Sequence, residues 1–271
     1  MTETTMRQAG DPPSTRTPGA DLRTYWIEAR TECLKTMRLP AYALPTLGFP
    51  AVFYVLFAVV LGGRQAGGVR MGTYMLATYG CFGVIGAALF AFGVGIAVER
   101  GQGWLLLKRA MPAPPGSWLA GKLAMSLVFA LIIVVLLSSL AYGVAQVRMP
   151  VGTWLLLGAV LVAGAIPFCA FGLALGFLCG PNSAPAVVNL IYLPMALLSG
   201  LWFPIEILPK AIQSIAVGLP AYHYAQLALG VVGSGRGGPA WTHAAVLAGF
   251  SALAIALALA AYRRDEGATF G

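Results

Sequence analysis

The sequence predicts an all-α membrane protein with six transmembrane helices, an N-terminal amphipathic interface helix and a re-entrant outer helical hairpin between spans five and six. Three observations support this class. First, 59% of the 271 residues are hydrophobic and only 10% are charged, whereas soluble domains carry about 25% charged residues. Second, the charged residues are clumped, so that long stretches contain none. Third, Lys and Arg concentrate between alternate apolar stretches, as the positive-inside rule requires.

The chain begins with two segments that precede the apolar stretches. Residues 1–20 are polar and rich in Thr, Pro and Gly, which predicts a disordered cytoplasmic tail and no cleavable signal peptide. Residues 21–38 are predicted to form an amphipathic helix on the inner membrane surface, with Asp21 at its N-cap. An ordinary soluble helix is the alternative, but Trp26 and the basic end favour the interface. The apolar positions recur at helical spacing at Leu22, Trp26, Ala29, Cys33 and Met37.

Six apolar stretches are long enough to cross a bilayer, whose roughly 30 Å hydrocarbon core needs about 20 helical residues. The uncharged run 149–205 has 57 residues and is divided into two spans by the turn residues at 180–185. Gly172 and Gly176, a G-x-x-x-G pair, predict a close helix contact, by default within one chain. The predicted transmembrane domain covers 39–262, with spans at 41–62, 72–98, 120–145, 152–178, 185–203 and 240–262.

The uncharged run 211–235 is ambiguous, because its Gln, His, Pro and Gly residues suit a lipid-facing helix poorly. Counting it as a span gives seven spans, whereas leaving it out gives six and keeps both termini on one side. With six spans, the inner segments hold twelve Lys and Arg residues and the outer segments five, in agreement with the positive-inside rule. Six spans are therefore predicted, with both termini cytoplasmic, an outer cap over 204–235 and a cytoplasmic tail over 263–271.

Charge and cysteine usage argue against several function classes. The net charge of +8 comes from basic residues that border the apolar spans, which indicates orientation and contact with anionic lipid rather than nucleic-acid binding. The four cysteines form no C-x-x-C pair, so neither a metal site nor a disulfide is indicated. No Asp, Glu or His lies in the middle of a predicted span, so the usual ligands of a proton- or sodium-coupled transporter are missing.

A phosphate-loop spacing occurs at Gly116, Gly121 and Lys122 in the inner loop. Three features argue against nucleotide binding there. The next residue is Leu123, which offers no hydroxyl to Mg²⁺; the preceding MPAPP stretch is unsuited to a buried strand; and Lys122 opens the third span. ATP and Mg²⁺ are therefore not expected to bind this chain.

The inner loop, residues 99–118, also contains a short amphipathic stretch, GWLLLKRAM, which ends before Pro112. Its leucines could anchor in a groove of a soluble partner, with the basic residues at the rim. A juxtamembrane helix lying on lipid explains the same pattern equally well. The residues alone leave both interpretations open.

Two segments, in this order and topology, resemble a known family. The loop ERGQGWLLLKRAMPAPPGSWLAGK is similar to an E-R-x-x-G-x-x-x-x-L-x-x-x-P segment that forms the family's coupling helix between the second and third spans. The stretch after the fifth span is similar to the family's signature there. In this sequence the signature consists of Ser199–Gly200, Phe203–Pro204, Leu208–Pro209 and Pro220–Ala221–Tyr222. Over residues 22–262 the chain resembles the transmembrane (permease) subunit of the type-two ATP-binding-cassette exporters.

The resemblance implies a transport subunit that is not itself an enzyme. Two copies of this chain, or this chain and a related permease, would assemble in the bacterial inner membrane with two copies of a P-loop ATPase, which would bind ATP and Mg²⁺. The residues implied in coupling to the ATPase are Glu99, Arg100, Trp104, Leu105, Leu107, Lys108, Arg109 and Met111. Those implied in the substrate path are Tyr79, Phe82, Asn189, Tyr192 and Met195. Those implied in the outer gate are Phe203, Pro204, Glu206, Pro209, Pro220 and Tyr222.

The sparse polar groups within the spans predict that the substrate is an amphiphile such as a drug, an antibiotic or a lipid. A membrane enzyme acting on lipid or peptide is the alternative, with Glu206, Tyr222 and His223 as its polar residues. His223 and His243 could instead hold a metal ion, although no carboxylate lies between them in the sequence. A non-transporting sensor or immunity protein would show the same sequence features as an exporter.

Overall fold

The computed structural model describes residues 18–61, 63–110, 113–114 and 116–270. Most of the N-terminal tail predicted at 1–20 lies outside these ranges. Apart from one very short β-hairpin, the regular structure of the described chain is helical. The predicted all-α class is confirmed at this level.

The helices follow one another with short connections. In chain order they are α1 (Pro18–Met37), α2 (Pro40–Val60), α3 (Met71–Leu89), α4 (Gly95–Gly101), α5 (Trp104–Ala110), α6 (Ser117–Gly143), α7 (Val151–Ala163), α8 (Ala165–Leu178), α9 (Ala184–Leu198), α10 (Lys210–Ala216), α11 (Pro220–Val231) and α12 (Ala240–Phe270). A π-helical turn (Phe90–Val94) joins α3 to α4, and a 3₁₀ turn (Ile205–Ile207) follows α9. The hairpin pairs β1 (Gln65–Ala66) with β2 (Val69–Arg70), with Gln65 opposite Arg70.

Five helical stretches of the described chain are long and apolar enough to cross a membrane: Pro40–Val60, Met71–Gly101, Ser117–Gly143, Val151–Leu178 and Ala240–Arg264. The remaining predicted span, 185–203, corresponds to α9, which has 15 residues. Such a helix is about 22 Å long, less than the hydrocarbon core. The helix ends at Leu198 because Gly200 has a φ of +77°. The Leu201 N–H then donates to the Ala196 carbonyl at 3.0 Å, as in other glycine-terminated helices.

Helix α3 is the centre of the bundle. Nearly every residue from Met71 to Leu89 is buried, and the helix packs against α2, α6, α8 and α11. By contrast, α2 leaves many of its apolar side chains exposed, among them Leu44, Val52 and Val60. In a membrane, such a surface can face lipid or another subunit, since lipid tails are as apolar as leucine.

Helix α8 packs closely against the π-helical turn, where the helix is locally widened. A Cβ atom on Gly172 would lie 2.8 Å from the Cβ atom of Phe92, and one on Gly176 would lie 2.8 Å from the Phe92 carbonyl oxygen. No side chain larger than a hydrogen fits at either position without a shift. The G-x-x-x-G pair therefore makes its close contact within the chain.

Helix α1 lies against α6 with its acidic side inward. Glu32 is 3% exposed, and a Cβ atom on Gly121 of α6 would lie 3.1 Å from the Cβ atom of Glu28. Leu22 and Trp26, in contrast, are 72% and 68% exposed. A soluble amphipathic helix buries its apolar side, whereas this one exposes it, as expected for a helix whose outer side meets the membrane interface.

The region predicted as an outer cap, 204–235, folds as the 3₁₀ turn, α10 and α11. Helix α11 has 12 residues, which is too short for an independent span, and it packs against α3 and α12. Pro220 begins it, since proline at the first helical position loses no hydrogen bond. Helix α12 continues to Phe270, through the predicted tail 263–271, because the charges there end the apolar run without breaking helical geometry.

Candidate functional site

Six charged side chains at the end of the bundle next to the inner loop form one network, which we call the inner ion cluster. It contains three carboxylates and three ammonium groups: Glu28, Glu32, Glu99, Lys35, Lys108 and Lys122. Lys122 Nζ lies 2.9 Å from a Glu99 oxygen and 3.4 Å from a Glu32 oxygen. Lys108 Nζ lies 3.0 Å from a Glu28 oxygen and 3.8 Å from a Glu32 oxygen. Lys35 Nζ lies 2.5 Å from a Glu99 oxygen and 3.0 Å from a Glu32 oxygen. The cluster thereby connects α1, α4, α5 and α6.

Burial makes this pairing obligatory. The side chains of Lys122 and Glu32 are 2% and 5% exposed, and charges with so little water are stable only when they are paired and hydrogen-bonded. The indole N–H of Trp118 donates to the second Glu99 oxygen at 3.2 Å. Burial would lower the pKa of Lys35, but the hydrogen bond and charge of Glu99, together with Glu32, raise it. Lys35 therefore carries its charge at neutral pH.

The contacts of Lys122 account for the phosphate-loop spacing. Its ammonium group is held by two carboxylates, and Gly121 beside it packs against the backbone of α1. Gly116, the first glycine of the spacing, has a φ of +83° and directly precedes α6. These residues begin a helix and pack it, which is a sufficient reason for their presence in this order.

Arg100 fastens the start of the inner loop to the end of α8. Its guanidinium donates to the carbonyl oxygens of Phe177 and Cys179, the latter at 2.7 Å. The last carbonyls of a helix have no partner within the helix, and a cation there also complements the helix dipole. Gly101 packs against the following turn, since a Cβ atom on it would lie 2.6 Å from Cγ of Pro181. The loop is thus attached on two sides.

Helix α5 presents a mixed surface. Trp104 and Leu107 are 51% and 53% exposed, whereas Leu105 is 8% exposed and joins the hydrophobic core. Met111 and the side chain of Arg109 lie outside the described residues. Of the other residues predicted to couple to the ATPase, four bind within the chain: Glu99, Arg100, Leu105 and Lys108. Their coupling role stays a prediction.

Three residues of the predicted substrate path form a continuous aromatic chain. The rings of Phe82 and Tyr192 stack with centroids 4.9 Å apart, and the Tyr192 hydroxyl donates to the Phe82 carbonyl at 2.7 Å. Tyr79 lies edge-on to Phe82 at 6.3 Å and donates to the Trp202 carbonyl at 3.3 Å. Since both hydroxyls are bonded to the backbone, the chain presents rings rather than polar groups.

The other two residues of the predicted substrate path, Met195 and Asn189, differ in burial. Met195 is buried in the same core. Asn189 is exposed, and its amide donates to the Pro185 carbonyl one turn earlier at 3.1 Å. An amide satisfied by its own helix needs no partner on a neighbouring one, so Asn189 does not join the aromatic chain.

A cavity of about 270 Å³ lies beside the aromatic chain and is lined by five aromatic side chains: Phe53, Phe57, Tyr79, Trp202 and Phe203. Phe53 and Phe57 lie one turn apart on α2 and stack at 6.3 Å. Their spacing is visible in the sequence, but it is typical of any lipid-facing helix, so sequence reasoning missed them. A lining of this kind favours apolar or aromatic ligand groups.

The residues predicted for the outer gate lie at the end of α9 and in the outer cap. Phe203 is edge-on to Phe57 at 5.6 Å, and Glu206 forms an ion pair with Arg236 at 3.1 Å. Tyr222 is 8% exposed. The three prolines stand directly before or at the start of the short helices of the cap: Pro204, Pro209 and Pro220. Proline fixes φ there without removing a helical hydrogen bond.

His223 and His243, 20 residues apart in sequence, are in contact, with their Nδ1 atoms 2.9 Å apart. Among the residues that the structure describes, no group of three or more His, Cys, Asp or Glu side chains is placed to hold a metal ion. Glu206, which the enzyme alternative would require as a free carboxylate, is paired with Arg236.

Comparison with known proteins identifies a membrane transport family, in agreement with the long apolar helices of the structure. The sequence pattern of the ABC-2 type transporter family matches residues 23–232. The chain is also 26% identical over 236 residues to YvfS of Bacillus subtilis (strain 168), whose own designation as a transport permease is provisional. That alignment covers 87% of this chain and 95% of YvfS.

Proposed function

Because the chain belongs to the ABC-2 type transporter family, we propose that it is the membrane-spanning subunit of an exporter that moves an amphiphilic substrate outward with energy from a separate ATPase. Membership of the family identifies a multi-pass membrane transport permease. The outward direction, the substrate class and the ATPase are the proposed parts.

The observation that carries the proposal is the attachment of the inner loop. The inner ion cluster ties α4 and α5 to α1 and α6, and Arg100 ties the same loop to α8. A force applied to α5 would therefore move several helices together, because buried ion pairs resist separation. Trp104 and Leu107 remain exposed on α5, and aromatic and leucine side chains are suitable anchors for a groove on a soluble partner. These two residues would contact the ATPase.

The proposed assembly contains two ATPase subunits and a second permease, either a copy of this chain or a relative. In the bacterial inner membrane, the exposed apolar side of α1 would rest in the inner interface, with both termini cytoplasmic. Helix α9 and the turn after it would make the sixth crossing. The outer cap would then be a re-entrant hairpin, because α10 and α11 are each too short to span.

The aromatic cavity supports the proposed substrate class. Its five rings offer a large apolar surface and no free hydroxyl, since Tyr79 is bonded to the Trp202 carbonyl. A site of this kind can hold the apolar part of an amphiphile but would leave the hydroxyls of a sugar polymer unpaired. We therefore assign the cavity to the apolar group of the exported molecule.

Co-purification tests the proposed coupling surface. The tagged chain is extracted from its native membranes in mild detergent, and the accompanying proteins are identified by mass spectrometry. We expect a P-loop ATPase with the unaltered chain and its loss with the double variant W104A/L107A. The matched control is Leu131→Ala on α6, since Leu131 is 52% exposed but faces outward in the middle of a span.

Two outcomes would contradict the proposal. Recovery of the chain without any ATPase in several detergents would contradict the proposed ATPase partner and favour the sensor interpretation. Equal loss of the ATPase in the Leu131→Ala variant would show that the effect is not specific to α5. Direction is tested separately, since an exporter should accumulate a fluorescent amphiphile inside inverted vesicles when ATP is added outside.

A further inference from the structure

The two histidines of the chain meet where the outer cap joins the last span. His223 on α11 and His243 in the first turn of α12 are 8% and 3% exposed. Their Nδ1 atoms are 2.9 Å apart. The other ring nitrogen of each faces a backbone carbonyl: Nε2 of His223 lies 2.9 Å from the Val217 oxygen, and Nε2 of His243 lies 3.2 Å from the Arg236 oxygen.

These contacts limit how the pair can hold its protons. A carbonyl oxygen only accepts hydrogen bonds, so both Nε2 contacts are hydrogen bonds only when both Nε2 atoms carry hydrogen. A neutral imidazole has a single N–H, so two neutral rings protonated in this way would leave an unprotonated Nδ1 on each side. Two lone pairs would then face each other at a separation that is normal for a hydrogen bond. A third proton between the Nδ1 atoms converts this repulsion into an N–H···N bond.

We infer that His223 and His243 form a proton-binding site in which three protons occupy the four ring nitrogens, so that the pair carries one positive charge. One ring is an imidazolium that donates from Nδ1, and the other is a neutral imidazole that accepts. This inference concerns proton binding and does not depend on transport.

The charged groups near the pair do not neutralise this charge, so burial opposes uptake of the third proton. The charged residues of the outer cap near it, Glu206 and Arg236, form an ion pair with each other at 3.1 Å. Burial, and then the charge of Glu206, raise the pKa of Tyr222, so its ring, edge-on to both histidines, stays neutral. Tyr74 is the titratable residue on the outer part of α3, and α7 and α8 supply no charged side chain to this end. Lys210 is exposed.

The shared proton connects two segments of the outer cap to α12 and to the loop before it. The two rings join α11 to α12, and their Nε2 atoms hold the end of α10, at Val217, and the loop at Arg236. Loss of the proton at high pH leaves two opposed lone pairs, and gain of a fourth at low pH leaves two opposed N–H groups. The contact is therefore stable only between two apparent titration steps, which belong to the pair and not to either residue.

Nitrogen NMR of the purified chain measures the protonation of the four imidazole nitrogens directly. The protein is labelled with ¹⁵N-histidine, purified through a tag without histidine and placed in lipid nanodiscs, so that all imidazole signals come from these four nitrogens. As the pH is lowered, we expect an intermediate range in which both Nε2 atoms are protonated and one proton is shared by the two Nδ1 atoms. Thermal stability should follow a bell-shaped dependence on pH, with a flank on either side of the NMR-observed range of the shared proton.

The variant His243→Asn is the matched control, because its amide can donate to Nδ1 of His223 without an added proton. We expect this variant to retain the contact and to lose the bell-shaped pH dependence. A folded chain whose two rings hold three protons at no pH would overturn the inference. So would histidine signals that shift on addition of EDTA, since they would place a metal ion where we assign the proton. A bell-shaped pH dependence of thermal stability that is unchanged in His243→Asn would likewise contradict the inference.

Discussion

Lys122 and Glu99 are 23 residues apart in the sequence, yet their charged groups lie 2.9 Å apart in a site nearly closed to water. Glu99 lies in α4 and Lys122 near the start of α6, so this contact joins the two helices that flank the inner loop. Glu32 of α1 contacts the same ammonium group. Three separate parts of the chain therefore depend on one buried cation.

Replacing Lys122 with methionine tests that dependence. The substitution keeps much of the side-chain volume but leaves Glu32 and Glu99 without their shared partner. Removal of one member of a buried ion pair typically costs about 3–5 kcal/mol, so we expect a strong loss of thermal stability in detergent. Lys210→Met, at an exposed position, should change stability by less than about 0.5 kcal/mol. Partial recovery in Lys122→Met/Glu99→Gln would confirm that the unpaired carboxylate causes the loss, and no recovery would contradict this cause.

Arg100→Lys tests the attachment of the loop to α8. A lysine provides a point charge and cannot reach two carbonyl oxygens with one planar group, so one charge-assisted hydrogen bond is lost, worth about 1.5–3 kcal/mol. We expect the ATPase still to co-purify but transport in inverted vesicles to fall. Arg148→Lys is matched, since Arg148 donates to the Tyr142 carbonyl at 2.7 Å in an outer connection. Equal defects in both variants would argue against a specific role of Arg100.

Phe57→Ala tests the aromatic cavity. Removing this ring opens the wall between α2 and Phe203, so we expect about tenfold weaker binding of a dansylated long-chain amine, equivalent to about 1.4 kcal/mol. Phe49→Ala removes a ring from the same helix at a position that is 57% exposed and does not line the cavity. Fluorescence titration in nanodiscs compares the two. Equal affinities for Phe57→Ala and Phe49→Ala would remove the cavity from the substrate path.

Gly172→Ala tests the packing of α8 against the π-helical turn. The added Cβ atom would lie 2.8 Å from Cβ of Phe92, so the helices must separate, at a cost of about 1–3 kcal/mol. Gly158→Ala on α7 meets only Val134 at 3.5 Å, an ordinary contact. There the gain in helix propensity, up to about 1 kcal/mol, should leave stability unchanged or higher. Thermal unfolding distinguishes the two, and equal midpoints would contradict the close contact.

The long apolar helices were largely predictable from local pattern. Five of the six predicted spans agree within a few residues with helices that are long and apolar enough to cross a membrane, since length and apolarity are properties of each segment alone. The fifth predicted span was drawn too long. Its apolar residues continue past Leu198, but Gly200 turns the chain with a positive φ before the pattern ends. Periodicity does not report that local conformational choice.

The members of the inner ion cluster were predictable only in small part. The resemblance pointed to Glu99, Arg100 and the helix after them, which lie in α4 and α5, and their coupling role stays a prediction. It did not reveal that Glu99 and Lys108 face Glu32, Lys35 and Lys122 inside the chain. Such pairs join residues separated by as many as 90 positions, and no spacing in the sequence records them.

The sequence by itself determined that this chain is a membrane protein built from apolar helices, because the hydrophobic effect acts on each segment independently. It also indicated the family through two short motifs. The tertiary structure decided which polar groups meet. Burial of Lys122, the shared contact of His223 and His243, and the exposure of Trp26 each depend on which helix packs beside which. A charge or a ring acquires its role from neighbours that only the folded chain supplies.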